Sequence, residues 1–196
     1  MENTTTANIM ITGVGGQGSL LASRIFGALA LKRGLDAKVS EVHGMAQRGG
    51  SVVTYVRYSA EKVYSPVICK GEADCLICFE ELEAARWLEY LKVGGVLITN
   101  TQHIFPMPVV IGAESYPQGI SDSIKNAGVK VIAMDALALA KEAGSAKAVN
   151  IVLIGAFARV CGYDREELED CIKSCVPEKT LEANLKAFSL GYDGAL

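Results

Sequence analysis

Gly13-Val14-Gly15-Gly16-Gln17-Gly18 sets four glycines in six residues between two apolar segments. A stretch of this kind can reach positive φ and carries few Cβ atoms to hold another group away, so it reads as a tight turn. Before it, residues 8–12 have strand length and an apolar centre at Ile9-Met10-Ile11. After it, residues 20–33 have helix length, a broad apolar face and Gly34 as a stop. A helix starting at Gly16 or Gln17 would point unpaired N–H groups and a positive dipole end out of the turn, as in loops that hold phosphate or carboxylate. Gly13, Gly15 and Gly18 also satisfy G-x-G-x-x-G. The same glycines would equally let the helix pack on the strand or a partner chain approach.

A second unusual stretch follows a strand over residues 37–42. His43-Gly44-Met45-Ala46-Gln47-Arg48-Gly49-Gly50 combines three glycines, a histidine and two long hydrogen-bonding side chains, and leads into the β-rich run of residues 51–58. Two strands so close together interrupt the repeating βαβ pattern and predict a mixed sheet. A short segment at 62–66 could extend the second of them until Pro66 ends it. Beyond it the pattern predicts a strand at 73–79, then an acidic helix at 80–91 burying Leu82, Ala85, Trp87, Leu88 and Leu91. A Gly94-Gly95 turn leads to a strand at 96–99, and a short strand at 109–111 sits among prolines. A helix at 120–126, a strand at 129–134 and a helix at 136–143 capped by Asp135 follow. From Lys147 onward the pattern is helical: an apolar helix at 148–160, one from Asp164 to Cys175, and one at 178–189 ending at Gly191. The expected fold is α/β, a three-layer mixed β-sheet with a Rossmann-like first βα unit and a helical C-terminal third. One domain spans 1–196, with 1–146 as the α/β sheet part and 147–196 as the C-terminal helices.

Composition narrows the function. The formal charge of −3 leaves no excess basic surface, so nucleic acid is not an expected ligand. The longest apolar stretch, at 148–161, carries Asn150 and Arg159 and is shorter than the roughly 18 residues that span a bilayer. The N-terminal residues lack a basic region and a signal-type apolar core, which predicts a cytoplasmic protein with no membrane segment. Of the 6 cysteines, Cys75 and Cys78 lie three apart on a strand and so face opposite sides. Cys171 and Cys175 lie on a core-like helical stripe. Reduced, buried thiols are expected, with no metal bound by this chain.

No nucleophile elbow, H-E-x-x-H or Walker lysine is present, so no catalytic residue is assigned. The candidate ligand or partner contacts are Gly13, Gly15, Gly16, Gln17, Gly18, His43, Gln47, Arg48, Gly49 and Gly50. Arg48 would hold a phosphate or carboxylate, with Gln47 and the Gly49 and Gly50 amides beside it, or pair with an acidic partner surface. His43 and His103 read as hydrogen-bonded or loop residues. Glu41, near the end of the second strand, stands where a ribose-binding acid would in a nicotinamide or flavin oxidoreductase, the competing reading.

The paired motifs Gly13-Val14-Gly15-Gly16-Gln17-Gly18 and Glu41 through Val52, with the apolar Ala148-Val149-Asn150-Ile151-Val152-Leu153-Ile154-Gly155-Ala156, resemble the gamma-type subunit or domain of 2-oxoacid:ferredoxin oxidoreductases. Within that family they look most like the indolepyruvate:ferredoxin oxidoreductase branch. The resemblance implies oxidative decarboxylation of arylpyruvates with coenzyme A as co-substrate, two electrons passing to ferredoxin. It implies a large catalytic (alpha) subunit that carries thiamine diphosphate and 4Fe-4S clusters, with no cofactor on this chain alone. The isolated chain would be inactive and could form a homodimer. One departure from the family is Gly144-Ser145-Ala146-Lys147, where relatives often have Gly-Asn.

Arg48→Ala is expected both to weaken assembly with the large subunit and to raise the coenzyme A concentration needed for half-maximal rate. Gel filtration of the complex and initial-rate kinetics measure the two, and a variant that changes neither removes the reading of this loop.

Overall fold

The β-branched and aromatic strand β3 (Ser51–Ser59) pairs on both sides and so decides the sheet. The computed structural model describes residues 6–44 and 50–195. Among these, β1 (Thr6–Val14), β2 (Asp36–His43), β3, β4 (Ala73–Cys78), β5 (Leu91–Asn100) and β6 (Lys130–Met134) form one sheet in the order β2-β3-β1-β4-β5-β6. β3 runs antiparallel to both β1 and β2, while β1, β4, β5 and β6 pair in parallel. A parallel crossover from β1 through α1 (Ser19–Lys32) to β2 therefore has an antiparallel strand inserted in it. The insertion explains why β2 and β3 need only a short connection, since antiparallel neighbours join end to end.

Two helical layers cover the sheet. On one face α1 packs with α5 (Ala136–Glu142), α6 (Val149–Cys161), α7 (Arg165–Cys175) and α8 (Glu178–Asp193) over Ile9, Ile11, Val56, Tyr58, Cys75 and Ile77. On the other, α2 (Glu81–Trp87) and α4 (Ile120–Asn126) cover Met10, Val53, Tyr55, Leu76 and Cys78. The alternation along β1 and β4 is that of strands buried on both sides. Cys75 and Cys78 fall in different cores, as their spacing requires. Not every thiol is buried, however: Cys69 is exposed and Cys161 and Cys175 are half-buried, because they lie in a loop and at helix ends.

α6 is the central helix of its layer, buried continuously from Val149 to Ala158. It meets α8 backbone to backbone. A Cβ built on Gly191 would stand 1.9 Å from the Val152 carbonyl oxygen, and one on Gly155 would stand 2.2 Å from the Phe188 carbonyl oxygen. Gly191 is thus a packing residue inside α8, which continues to Asp193, and not the helix stop expected from the sequence.

Other expectations are corrected. Residues 62–66 form no strand. They leave the sheet, and the Val63 N–H caps the Asp36 carboxylate at 2.7 Å. The valines at 109–110 lie in a short helix, α3 (Met107–Val110), because Pro108 in its first turn has its φ preset for the helix and no N–H to leave unpaired. The acidic helix stops at Trp87, a 3₁₀ turn covers Leu88–Tyr90, and β5 begins at Leu91, taking Gly94 and Gly95 into the strand. Its inward face is also acidic: Glu81, Glu83 and Ala84 are buried while Ala85 is exposed.

Gly191→Ala should force α6 and α8 apart at a backbone contact. The expected loss is about 1–3 kcal/mol or more, since overpacking against main chain has little room to relax. In a chain of this size that corresponds to a melting temperature lower by roughly 2–12 °C. Differential scanning calorimetry checks it, and an unchanged transition would refute the contact.

Candidate functional site

The two glycine loops meet because of strand register. β1 and β3 are aligned so that Val14 lies opposite Ser51, which places the residue after β1 beside the residue before β3. The Gly15 N–H donates to the Gly50 carbonyl at 3.0 Å. Both loops stand at the carboxyl ends of the parallel strands, the side of an open α/β sheet where ligands bind.

The first loop is held from within and from behind. The Gln17 side-chain oxygen accepts the Val14 N–H at 2.7 Å, and its nitrogen donates to the Phe79 carbonyl at 3.0 Å. Gln17, a candidate ligand or partner contact by sequence, thus spends both ends of its amide on bracing its own loop. Gly13 is buried beneath this brace. Gly16 is the exposed tip. Gly18 has φ +89°, and a Cβ there would stand 2.7 Å from the Asn150 amide nitrogen. The same nitrogen donates to the Gly18 carbonyl at 3.0 Å, while the Asn150 oxygen accepts the Ile151 N–H at 2.9 Å. Gly18 is the N-cap of α1, so the helix starts at Ser19, later than Gly16 or Gln17, and its open amides begin there. Asn150, 1% exposed on α6, was not among the sequence candidates. The signal for it was a lone amide inside an apolar run.

His43 is exposed at the mouth of the second loop, its Nδ1 3.3 Å from the Gly44 carbonyl. Gln47, Arg48 and Gly49 lie outside the described residues; Gly50 enters through its carbonyl.

A cleft opens on each side of the Gly16–Gly18 ridge. One, of about 440 Å³, is bounded by Gly15, Gly16, Ser19, Glu41, His43 and Val52. The other, of about 460 Å³, is bounded by Gln17, Gln102, Ile104, Lys147 and Asn150. The first contains a carboxylate and the second an exposed lysine. Glu41 Oε2 accepts from Ser19 Oγ at 2.6 Å and from Thr54 Oγ1 at 3.0 Å.

Behind the ridge three acids at the start of α2 tie down the surrounding loops. Glu80 caps α2 through the Glu83 N–H at 3.0 Å, and its other oxygen accepts the Ile104 N–H at 3.1 Å and the Tyr116 hydroxyl at 2.5 Å. Burial and this carboxylate both push the Tyr116 phenol above its ordinary value. Glu81 accepts from the Ser121 N–H at 3.1 Å and hydroxyl at 2.5 Å, and pairs with His103 Nε2 at 2.8 Å. His103 is thereby held, its ring also stacked on Tyr116 at 4.4 Å. Glu83 accepts from the Ser51 hydroxyl and from Trp87 Nε1 at 3.2 Å, fixing the first residue of β3. Nearby, burial pushes the Cys78 thiol up to about 12, which the hydrogen bond from Thr12 only partly offsets. A buried thiol of that kind is inert.

Comparison with known proteins places this geometry. The pyruvate ferredoxin/flavodoxin oxidoreductase family model matches residues 8–194. The chain is 44% identical over 195 residues to the indolepyruvate oxidoreductase subunit IorB of Thermococcus kodakarensis, covering 96% of this chain and 95% of that one. It is 43% identical, with the same coverage, to the subunit of that name from Pyrococcus horikoshii. Among solved structures, the keto/oxoacid ferredoxin oxidoreductase gamma subunit from Geobacter sulfurreducens is 27% identical with a TM-score of 0.71, over 96% of this chain and 98% of that one.

The acid cluster makes stability depend on pH. Burial raises the Glu81 carboxyl, but the hydrogen bonds from Ser121 and His103 outweigh it and hold it below its ordinary value of 4.5. A depressed carboxyl stabilises the fold fully above that value and loses its contribution as pH falls through the lowered one. Glu81→Gln should cost on the order of 1–3 kcal/mol at neutral pH, the scale of lost hydrogen bonds to a charged group. The gap to wild type should close on acidification below 4.5. Thermal melts across pH measure this, and a gap that does not narrow would contradict it.

Proposed function

Because the chain belongs to the pyruvate ferredoxin/flavodoxin oxidoreductase family, as a subunit of a 2-oxoacid:ferredoxin oxidoreductase, we propose that it is the non-thiamine subunit of the indolepyruvate enzyme. The near full-length 44% identity to a subunit of that name carries the reading. In it, the large subunit holds the thiamine diphosphate and iron–sulfur clusters, and this chain completes the assembly in the cytoplasm. Electrons leave to ferredoxin through the complex.

Cys75 and Cys78 face opposite sides of the sheet, and among the described residues no group of three or more His, Cys, Asp or Glu could hold a metal. No described helix is long and apolar enough to cross a membrane.

The paired glycine loops are the docking face in this proposal, where the large subunit and coenzyme A meet. Exposed apolar side chains suit a protein contact: Leu20 on α1 and Phe105, Met107, Val110 and Ile111 in the connection after β5 are all more than half exposed. Gly15, Gly16 and Gly18 would supply backbone for close approach, and Arg48, outside the described residues, would be the cation.

Affinity capture of the tagged chain from its own cells tests the assignment. The expected result is a larger subunit containing thiamine diphosphate and iron–sulfur clusters, and a complex that reduces ferredoxin faster with indolepyruvate than with pyruvate or 2-oxoglutarate. Capture of a complex that prefers another 2-oxoacid would overturn the indolepyruvate assignment.

A further inference from the structure

A separate cleft, of about 270 Å³, opens at the amino ends of β1 and β4, the end of the sheet opposite the glycine loops. Cys75 of β4 and Cys161, the last residue of α6, both line it. They meet because α6 packs on the sheet face to which Cys75 points. The Cys75 thiol donates a hydrogen bond to the Cys161 sulfur, so the two side chains are in contact. Cys75 is 1% exposed, whereas Cys161 is half-buried and borders the open cleft.

The surroundings give the two sulfurs different characters. Burial, and then the bond shared with Cys161, hold the Cys75 thiol well above the usual thiol range. The same bond, received by Cys161 and joined by the Lys130 ammonium, lowers the Cys161 thiol against the cost of its burial. Asp74 opposes this with the smallest of these effects, its carboxylate being paired with Lys92. A thiolate that solvent reaches, next to a second thiol, is the arrangement that oxidises selectively.

We propose that Cys75 and Cys161 form a redox-sensitive modification site, in which a hydroperoxide entering the cleft oxidises Cys161 and Cys75 then closes a disulfide that fixes the end of α6 to β4. The Cys161 thiolate attacks the peroxide. Its sulfur takes one oxygen as sulfenic acid, the O–O bond breaks, and the other oxygen leaves as hydroxide, which the proton released by the Cys161 thiol converts to water. The Cys75 sulfur attacks the sulfenic sulfur: the S–S bond forms, the S–O bond breaks, and the departing hydroxide takes the Cys75 proton as water. Two thiols give up two electrons and two protons, and hydrogen peroxide becomes two waters. A dithiol reductant reverses the link by exchange, as suits a disulfide formed in a reducing compartment. The sulfurs have to close to about 2.05 Å. Cys161 supplies that movement more cheaply than the strand does, because it stands at a helix terminus followed by Gly162 in the left-handed region.

Peptide mass mapping of the full chain after a few equivalents of hydrogen peroxide tests the proposal, with remaining thiols blocked by N-ethylmaleimide under denaturing conditions. The expected product is a peptide joining Cys75 to Cys161 that dithiothreitol removes. Cys75→Ser should leave Cys161 as a sulfenic acid trapped by dimedone, while Cys161→Ser should protect Cys75 from oxidation. The linked wild type should melt roughly 4–16 °C above the reduced chain, the scale of a disulfide closing a long loop in a chain of this size. Recovery of both residues as blocked thiols overturns the proposal, as does Cys161 as sulfinic acid with no link, or a disulfide through Cys69 or Cys175 that leaves the pair free. A link without a rise in melting temperature overturns the fixing of α6. These results are read on wild type, so they stand however either serine variant folds.

Discussion

The antiparallel alignment of β3 against β1 is the constraint on which the rest depends. It turns what would be a parallel half-sheet into a mixed one and sends the connection after β2 to the end of the sheet where β1 finishes. One backbone hydrogen bond, from Gly15 to Gly50, then joins two stretches that the sequence separates by a helix and a strand. With β3 paired in any other register, the glycine-rich segments would be unrelated corners of the surface. A one-residue slip would also turn Val53, Tyr55 and Val56 to the wrong cores, which is why the alignment is strongly specified.

Around that junction the protein uses buried polar side chains as ties between distant segments. Glu80 and Glu81 hold the connection after β5, Glu81 also the start of α4, and Glu83 the start of β3, while Asn150 reaches across from the C-terminal helices to the start of α1. Every buried side-chain polar atom among the described residues has a partner. Charges placed under a surface in this way are tolerable because donors surround them, and they give the loops a fixed geometry that apolar packing alone would not select.

Much of this was legible in the sequence because it rests on local periodicity. The strand around Ile9-Met10-Ile11, the β-branched run from Ser51 and the apolar α6 all announce themselves. The mixed sheet followed from two strands standing too close for a crossover. What could not be read depends on partners far along the chain. Glu81 and Glu83 look like a solvated helix face until Ser121, His103, Ser51 and Trp87 are known to surround them. Val109 and Val110 have strand propensity, but Pro108 in the first helical turn wins locally. Gly191 has the sequence appearance of a helix end, and only the backbone of Val152 across the contact reveals its use. Within the site, the glycines were visible, whereas Asn150 and the inward turn of Gln17 were matters of three-dimensional fit.

The seam between α6 and α8 has a mechanical meaning. Where two helices touch through main chain, no side chain can change rotamer to absorb a displacement, so the pair travels as one stiff body. Asn150 is bolted to that body near its leading end and grips the carbonyl of Gly18. A molecule leaning on the outer side of α8 would therefore shift the rim of both clefts without touching either.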